Sequence, residues 1–374
     1  MWQCGCGGLL DLSSPEPFAD ELIDASEHGL WRYASALPLV PDAARIRLGE
    51  TMTPLVHSAT LGLNLKLDYL LPSGSFKDRG TAVMASRLHS LGVRDVVEDS
   101  SGNAGASLAT YTAAAGIGCE IFTPAGNSRG KLAQIRATGA TLTAVAGGRE
   151  AAAAAAQAAA DQRFYASHKR HPDYLAGVAT VGFELYEQLG RRVPSAIIAP
   201  CGQGSLILGA ARAFAALAAG VGTPVPRLFA VQAAAYPAVA DAAAGGLEEP
   251  IPAARPGGTI AEGIATALPE RGRELLHAIR SSKGSTIAVP DSEIGHAAVW
   301  LAEHGFYAEP TSAAAVAGLW EFRRLGMLPP ADADAVLILT GSGLKAGSQI
   351  ADLRAAEAAS EPGAPSDAPA GATQ

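Results

Sequence analysis

The fold class is indicated by one short segment, Ala-Ile-Ile-Ala-Pro-Cys-Gly-Gln-Gly-Ser-Leu, at residues 196–206. Residues 196–199 are typical of a buried strand, the glycines after them form a turn, and Leu206 begins a helix rich in alanine and leucine. Strands joined directly to helices build parallel sheets with helices on both faces. Such sheets bind ligands in the loops that follow the carboxyl ends of their strands, so we expect functional residues there.

The same alternation of strands and helices extends over most of the chain. The predicted strands cover residues 95–98, 119–123, 141–145, 196–199, 228–231 and 335–339. The predicted helices cover residues 104–115, 130–137 and 149–160, with another beginning at Leu206. An α/β protein is therefore expected. Glycine and proline predict a long loop at 241–260, and an Ala/Pro/Gly/Ser-rich composition predicts a disordered tail at 355–374.

Composition limits the classes of function. The chain has 374 residues, of which 48% are hydrophobic and 17% are charged, and its formal net charge is −8. An acidic balance disfavours a nucleic-acid partner, because nucleic-acid-binding proteins usually present a basic surface. No apolar run is long enough to cross a bilayer, and the N-terminus lacks the basic and apolar parts of a signal peptide. We therefore expect a soluble, cytoplasmic protein with no membrane partner.

The cysteines do not predict a metal site. Cys4 and Cys6 are separated by one residue and could begin a metal-binding ribbon. Cys119 and Cys201 lie at the ends of predicted strands and do not form a second pair. Because a structural zinc site needs four ligands, we expect no metal, and four cysteines in a chain of this length do not form a disulfide framework.

A lysine motif lies at residues 71–80, Leu-Pro-Ser-Gly-Ser-Phe-Lys-Asp-Arg-Gly. Ser75 is placed to cap a helix that begins near Phe76, which puts Lys77 in the first turn. There the positive end of the helix dipole lowers the pKa of a lysine, and such a lysine can form a Schiff base. The alternative is a surface lysine paired with Asp78.

Three further motifs follow predicted strands. Residues 100–106, Ser-Ser-Gly-Asn-Ala-Gly-Ala, precede a helix whose N–H groups could bind a carboxylate or phosphate, or could be an ordinary N-cap. The glycine turn at 200–206 could hold a phosphate in the same way, although it lacks the Lys-Ser/Thr pair of a Walker loop. Residues 340–345, Thr-Gly-Ser-Gly-Leu-Lys, place a hydroxyl after the last strand, where it could bond a ring nitrogen or simply form part of a turn.

Together and in this order, the four motifs resemble those of the fold type II pyridoxal-phosphate enzymes, and within that group the chain is most similar to threonine synthase. The resemblance covers roughly residues 1–350, and further matches to the family lie at residues 4–10, 29–33, 48–55 and 309–313. It implies a fold similar to the tryptophan synthase β chain, with two open, twisted, mainly parallel sheets flanked by helices. It also implies a small amino-acid substrate and a homodimer.

The resemblance implies a division of the chain into domains. Residues 1–84 would form the N-terminal part of a large domain, whose cofactor-binding part would be residues 186–354. Residues 85–185 would form a small, mobile domain that carries the loop for the substrate carboxylate. Residues 355–374 would be the tail.

The resemblance also assigns roles to residues. Lys77 would bind pyridoxal 5'-phosphate as a Schiff base and then serve as the base at the substrate α-carbon, while Thr340 would meet the pyridine nitrogen. The implied cofactor-binding residues are Lys77, Asn103, Gly202, Gln203, Gly204, Ser205, Leu206 and Thr340. The implied residues around the substrate carboxylate are Ser100, Ser101, Gly102, Asn103 and Ala104.

The chain departs from the family where threonine synthases bind the substrate phosphate. Tyr174 stands in place of the family arginine, and Ala176 and Ala179 replace a glutamate and a lysine. The positive string at residues 168–171 could supply charge instead, so Lys169 and Arg170 are predicted substrate contacts; the alternative is a solvated loop.

Three functions remain open. The first is a threonine-synthase-like carbon–oxygen lyase, which would convert a phosphorylated amino acid such as O-phospho-L-homoserine to L-threonine. The second is a β-eliminating or β-replacing enzyme similar to threonine/serine dehydratases or to cysteate/cysteine synthases; residues 259–265 resemble the dehydratases. The third is a cofactor-binding protein without turnover.

Overall fold

Ten strands and eleven α-helices make up the fold of the described residues. The computed structural model describes residues 3–6, 8–12, 16–39, 44–125, 132–253, 255 and 258–360. The strands are β1 (Leu55–Ser58), β2 (Leu63–Leu67), β3 (Asp95–Glu98), β4 (Gly118–Pro124), β5 (Thr141–Val145), β6 (Phe164–Tyr165), β7 (Ala196–Pro200), β8 (Arg227–Ala233), β9 (Ser285–Val289) and β10 (Val336–Leu339).

The helices alternate with these strands. They are α1 (Lys77–Ser90), α2 (Asn103–Ala115), α3 (Ala133–Ala137), α4 (Arg149–Ala159), α5 (Pro172–Gln188), α6 (Ser205–Val221), α7 (Ala238–Ala244), α8 (Gly272–Ser281), α9 (Asp291–Glu303), α10 (Pro310–Arg324) and α11 (Gln349–Ser360).

The strands form two sheets that are mainly parallel. The larger sheet has the order β1-β2-β10-β7-β8-β9, and only its edge pair β1–β2 is antiparallel. The smaller sheet has the order β5-β4-β3-β6 and is entirely parallel. The central strands β7 and β10 are buried along their whole length, as expected for strands with helices on both faces.

Small residues allow the three helices α1, α5 and α6 to pack closely. Helix α5 packs against both α1 and α6, and residues 172–186 are all buried. A Cβ atom at Gly177 would lie 2.3 Å from the carbonyl oxygen of Arg79 in α1. A Cβ atom at Gly209 in α6 would lie 2.7 Å from Val178. These contacts fix the start of α1 relative to both sheets.

A buried ion network lies beside α1. Arg79 Nη2 is 2.7 Å from Asp68 Oδ1, and Arg79 Nη1 is 3.0 Å from Glu184 Oε2. Lys66 Nζ is 2.5 Å from Glu184 Oε1, and Thr53 donates a further hydrogen bond to Asp68. All four charged side chains are almost completely buried, so the network ties β2, α1 and α5 together.

The structure changes several of the predicted boundaries. Strands 95–98 and 141–145 have the predicted ends, while β1, β2, β6 and β9 were not predicted. Residues 241–244 are the last turn of α7 rather than loop. Residues 355–360 are helical because α11 packs against α9, with Arg354 Nε 3.0 Å from Glu303; the rest of the predicted tail, 361–374, lies outside the described residues.

The smaller sheet lies within residues 95–165, inside the segment 85–185 that the sequence predicts to be a mobile domain. Helix α5 crosses from that segment onto α6 of the larger unit. The mobility of the segment stays a prediction.

Of the predicted helix 130–137, residues 130 and 131 lie outside the described part of the chain, and α3 begins at Ala133.

The four cysteines are free thiols in very different surroundings. Cys4 and Cys6 are exposed, Cys119 is half-buried and Cys201 is buried. Burial raises the pKa of both Cys119 and Cys201 to about 12. Within the described ranges, no three His, Cys, Asp or Glu side chains are grouped so that they could hold a metal ion. None of the helices described above is long and apolar enough to span a membrane.

Candidate active site

A cleft of about 1860 Å³ lies where the carboxyl ends of strands from both sheets meet. Its walls are the start of α1, the loops after β3, β7 and β10, and the segment after β6. All of the predicted site residues except Arg170 line this one cleft: Lys77, Ser100, Ser101, Gly102, Asn103, Ala104, Lys169, Gly202, Gln203, Gly204, Ser205, Leu206 and Thr340.

Lys77 is the first residue of α1, as predicted, but the local reasons differ from those expected. Phe76 occupies the N-cap position, and the Ser75 hydroxyl is buried with no hydrogen-bond partner among the described residues, so Ser75 is not the cap. The pairing of Lys77 with Asp78 is also wrong. The Asp78 carboxylate accepts hydrogen bonds from Ser73 and Ser107 at 2.5–2.6 Å.

Burial controls the basicity of Lys77. No described residue gives its Nζ a hydrogen bond or a salt bridge, and Nζ lies 4.4 Å from the centre of the Phe76 ring. Burial lowers the pKa of Lys77 to about 8, against the opposing effect of the Glu309 and Glu98 carboxyls. A substantial fraction of the amine is therefore neutral near physiological pH.

The Ser-Gly-Asn loop leads directly into α2. Gly102 is the N-cap of this helix, and Asn103 is its first residue. A Cβ atom at Gly105 would lie only 1.7 Å from the Ser100 carbonyl oxygen, so the loop is folded tightly against the first turn. This arrangement directs the first backbone N–H groups of a 13-residue helix to the cleft, where they can bind an anion.

The glycine loop makes the corresponding turn at the start of α6. Gly204 is the N-cap, with a positive φ of 79°, and a Cβ atom there would lie 2.6 Å from Leu275. Gln203 accepts a hydrogen bond at 3.0 Å from the backbone N–H of Glu270, which holds the loop in place. The first turn of α6 contains no acidic residue, so its N–H groups form a second anion site in the cleft.

Thr340 follows β10 and is 1% exposed. Its Oγ1 lies 3.0 Å from Ser312 Oγ, and its carbonyl oxygen accepts a hydrogen bond at 2.8 Å from the N–H of Phe76. That bond joins the end of β10 to the residue before Lys77. Thr340 lines the cleft and therefore offers it a neutral hydroxyl.

A family model described as "Pyridoxal-phosphate dependent enzyme" matches residues 46–341 of the chain. The chain belongs to this family. Its cofactor is therefore pyridoxal 5'-phosphate, and the predicted fold type is confirmed.

Individual relatives confirm the prediction of a lyase-type enzyme similar to threonine synthase. A threonine synthase of Methanocaldococcus jannaschii is 34% identical over 92% of this chain and 89% of that protein. A threonine synthase of Methanosarcina acetivorans is 32% identical over 93% of this chain and 88% of that protein. A crystal structure of a threonine deaminase from T.th. has 27% identity and a TM-score of 0.67, covering 78% of this chain and 92% of that one.

The donors in the cleft fit a pyridoxal-phosphate cofactor. The α6 N-terminus with its crowded glycines suits a phosphate, because a side chain at Gly204 would strike Leu275. Lys77 provides an amine with a lowered pKa for an aldehyde, and Thr340 provides a neutral partner for a ring nitrogen.

Glu309 is a cleft residue that sequence reasoning did not assign. It is the N-cap of α10, and Asn103 Nδ2 donates to both of its carboxylate oxygens at 2.9 and 3.1 Å. Burial raises its pKa, while Asn103, Lys345 and Lys77 act in the opposite direction. Residues 309–313 were matched to the family, and that match was the signal from which Glu309 could have been assigned to the site.

The positive string at residues 168–171 is largely neutralised. Lys169 Nζ is 2.6 Å from Asp99, and Arg170 is 2.9 Å from Glu270 and does not line the cleft. Burial lowers the pKa of His168 well below its usual range and that of His171 to about 4, so neither imidazole adds charge near neutral pH. The alternative prediction, that residues 168–171 form a solvated loop, is wrong, since His171 is buried and the other three residues are partly buried.

The position of the family arginine is closed to the cleft. Tyr174 is buried, and a Cβ atom at Gly80 would lie 2.6 Å from its ring. Its hydroxyl has no hydrogen-bond partner among the described residues. Ala176 and Ala179 are buried in the same helix. This part of α5 thus packs in the core and provides no cation for a substrate.

Proposed function

We propose that this enzyme is a threonine-synthase-like lyase that converts a phosphorylated amino acid, such as O-phospho-L-homoserine, to L-threonine by elimination and replacement. The observation that carries the proposal is the meeting of Lys77, the Ser-Gly-Asn loop and the glycine loop at one cleft. Identities of 34% and 32% to threonine synthases over more than nine-tenths of the chain support it.

In this proposal the glycine loop and the α6 N-terminus hold the cofactor phosphate, and Lys77 holds the aldehyde end. Asn103 would hold the ring hydroxyl, and the Thr340 hydroxyl would hold the ring nitrogen. When bound, the cofactor supplies an electron sink for the carbanion at the substrate α-carbon. The hydroxyl of Thr340 is neutral and would leave the ring largely unprotonated, which would moderate that sink and favour elimination and replacement over racemisation.

The substrate is oriented by the loop after β3. The N–H groups of residues 100–104 bind its carboxylate, which places the α-carbon near Lys77. The Lys77 amine, with a pKa of about 8, removes the proton from that carbon and can return it at a neighbouring carbon.

Contacts across the cleft exclude water from the reacting atoms. Arg149 at the start of α4 donates to the carbonyl oxygen of Ala265 at 3.0 Å, and Arg170 pairs with Glu270. Both contacts join the smaller-sheet side of the cleft to the opposite wall. Closure of this kind protects carbanion chemistry from solvent.

The distal phosphate is the part of the substrate with the weakest support. Of the lysine and arginine in the positive string, only Lys169 lines the cleft. To bind the phosphate, its Nζ would have to leave the salt bridge with Asp99. The same pairing favours a second candidate, β-elimination from an amino acid without a phosphate. The likeness to a threonine deaminase also supports that candidate.

Steady-state assays with O-phospho-L-homoserine, L-threonine and O-phospho-L-serine separate the two candidates. The first function is expected to release L-threonine and phosphate from O-phospho-L-homoserine. If the enzyme turned over L-threonine or O-phospho-L-serine but not O-phospho-L-homoserine, the β-elimination function would replace the threonine-synthase-like function. Turnover of none, with cofactor bound, would indicate a binding protein.

Two single variants locate the phosphate contact. Lys169→Ala is expected to raise the Michaelis constant for O-phospho-L-homoserine by about one to two decades, which corresponds to about 1.4–2.7 kcal/mol. Arg163→Ala is the matched control, because Arg163 pairs with Glu120 and neither residue lines the cleft. Unchanged kinetics in Lys169→Ala, with wild-type turnover intact, would show that Lys169 does not bind the phosphate.

A further inference from the structure

A carboxyl–imidazole pair stands at the edge of the cleft, formed by Glu98 and His168. Strands β3 and β6 run parallel with Val97 opposite Tyr165, so their carboxyl ends lie side by side. Glu98 ends β3, and His168 lies three residues after β6. As a result Glu98 Oε1 is 2.5 Å from His168 Nδ1.

Glu98 is buried, whereas His168 is accessible from the cleft. Glu98 is 1% exposed, while His168 lines the cleft together with Lys77. Because Nδ1 of His168 is engaged by Glu98, Nε2 is the ring nitrogen left for a ligand in the cleft. The Tyr174 ring packs edge-on at 6.1 Å from the imidazole and limits its rotation.

The surroundings favour a neutral pair. Oε2 of Glu98 is buried with no hydrogen-bond partner among the described residues, which is costly for a carboxylate and tolerable for a carboxylic acid. Burial, assisted by the neighbouring Asp99, raises the pKa of Glu98 well above its usual range. Burial, with Lys77 and Lys169 nearby, lowers the pKa of His168. The Glu98 carboxyl therefore donates to Nδ1, and the His168 proton is on Nε2.

We propose that Glu98 and His168 form a proton relay that protonates an oxygen leaving the substrate β-carbon and, in reverse, deprotonates water that adds there. In the leaving direction the β-carbon–oxygen bond breaks and its electron pair stays on oxygen. Nε2 gives its proton to that oxygen, and Nδ1 takes the proton of Glu98, which becomes a carboxylate. His168 is the catalytic residue, and Glu98 is a positioning residue that acts through it.

This inference rests on the proposed lyase function but does not depend on which substrate is natural. In the threonine-forming direction, water adds at the β-carbon, and dehydration of L-threonine is the reverse of that step. The relay serves the same carbon–oxygen bond in both directions.

Leaving-group dependence tests the relay in the holoenzyme. L-Threonine loses hydroxide, which needs a proton, whereas O-acetyl-L-threonine has the same carbon skeleton and loses acetate, which does not. His168→Asn is expected to lower 2-oxobutyrate release from L-threonine by about 10²–10⁴-fold and that from O-acetyl-L-threonine by less than about tenfold. Glu98→Gln keeps a hydrogen bond to Nδ1 but has no acidic proton to pass on, so it should show the same selectivity.

His171→Asn is the matched control. His171 is three residues from His168 and is also buried, but it does not line the cleft, and its Nδ1 caps α5 by accepting from the N–H of Asp173. Asparagine can replace that cap, so both substrates should be turned over as in the wild type.

A spectroscopic readout is independent of turnover. Nitrogen NMR of the histidine-labelled holoenzyme should show His168 as the neutral tautomer protonated at Nε2. Equal losses on both substrates in His168→Asn would overturn the relay and leave the lyase function in place. Absence of 2-oxobutyrate from both substrates in the wild type would overturn the relay. Only if the wild type also failed to form L-threonine from O-phospho-L-homoserine would the lyase function be overturned with it.

Discussion

Lys77 owes its reactivity to its surroundings rather than to a charged neighbour. No described carboxylate lies within salt-bridge distance of its Nζ, and burial lowers its pKa to about 8. An amine in this state combines a useful neutral fraction with enough basicity to remove a proton from carbon.

Capture of the cofactor should follow this ionisation. Only the neutral amine attacks an aldehyde, so the rate at which the cofactor-free protein binds pyridoxal 5'-phosphate covalently should rise about tenfold per pH unit below pH 8 and level off above it. Borohydride trapping followed by peptide mass spectrometry measures the rate and the site.

Lys77→Ala should trap no cofactor at the peptide that contains residue 77. A rate that continued to rise towards pH 10 would show an ordinary lysine, and label on a different lysine would overturn the assignment.

At the scale of single residues, the sequence predicted which side chains line the cleft, but not the long-range hydrogen bonds that fix their positions. Lys77, Asn103 and Thr340 lie at the cleft because each follows a strand or begins a helix, and those positions are local features of the chain. The Asn103–Glu309 bond joins residues 206 positions apart, and no local pattern contains that information.

At the scale of elements, the N-terminus of α6 is shaped by one glycine. Gly204 combines a positive φ with a Cβ position 2.6 Å from Leu275, so any side chain is strained and crowded. This crowding brings the backbone close to the cleft and leaves its N–H groups free to meet an anion.

Gly204→Ala should therefore weaken cofactor retention and lower the melting temperature. Strain at such a position costs about 1–3 kcal/mol, and displacement of the loop adds to the loss of phosphate binding. Gly204→Asp should retain still less cofactor, because its carboxylate would repel the phosphate. Equilibrium dialysis of the cofactor and thermal unfolding measure both effects.

Gly222→Ala is the matched control for this element. Gly222 ends the same helix with a φ of 71°, but no described atom lies within 4 Å of its Cβ position. It should lose some stability and no cofactor affinity. Equal cofactor loss in both variants would show that the α6 N-terminus does not hold the phosphate.

The elements that the sequence missed are those that depend on distant partners. Strand β2, Leu-Asn-Leu-Lys-Leu, contains Lys66, which is completely buried only because Glu184 lies 118 residues further along the chain. Strands β3 and β5 were predicted with their correct ends because β-branched residues make up half of β3 and more than half of β5. The predicted loop at 241–260 was wrong in its first residues because alanines extend α7 to Ala244.

At the scale of the whole molecule, the buried ion network makes stability depend on pH. The Arg79 guanidinium and the Lys66 ammonium hold the pKa of Glu184 at about 2, although burial acts in the opposite direction. Since the folded-state pKa lies below the ordinary value, this stabilisation is complete above about pH 4.5 and is lost as the pH falls towards 2.

Urea unfolding between pH 6 and pH 2 should reveal this loss, on the order of 3 kcal/mol. Glu184→Gln should flatten the acid slope and lower stability at pH 7 by about 3–5 kcal/mol, because Arg79 and Lys66 are left buried without their partner.

Glu187→Gln provides the comparison on the same helix. Its partner Arg32 is partly exposed, so the acid slope should stay as in the wild type. An unchanged slope in Glu184→Gln would show that the network does not set the acid stability.

The homodimer, the mobility of residues 85–185 and the cytoplasmic location stay predictions, and sedimentation velocity of the holoenzyme tests the first. The substrate's distal contacts were also beyond prediction, because Lys169 and Arg170 are engaged by Asp99 and Glu270, which come from other segments.

The uneven burial of the cysteines has a practical consequence for handling the protein. Cys4 and Cys6 are exposed, and the pKa of Cys6 is lowered by a hydrogen bond from Cys4, so a maleimide should attach there first. Cys119 and Cys201 have pKa values of about 12 and should react slowly. Neither fast-reacting thiol is among the described residues that line the cleft. The enzyme can therefore be tethered to a solid support or given a fluorophore through its first few residues while its chemistry stays unmodified.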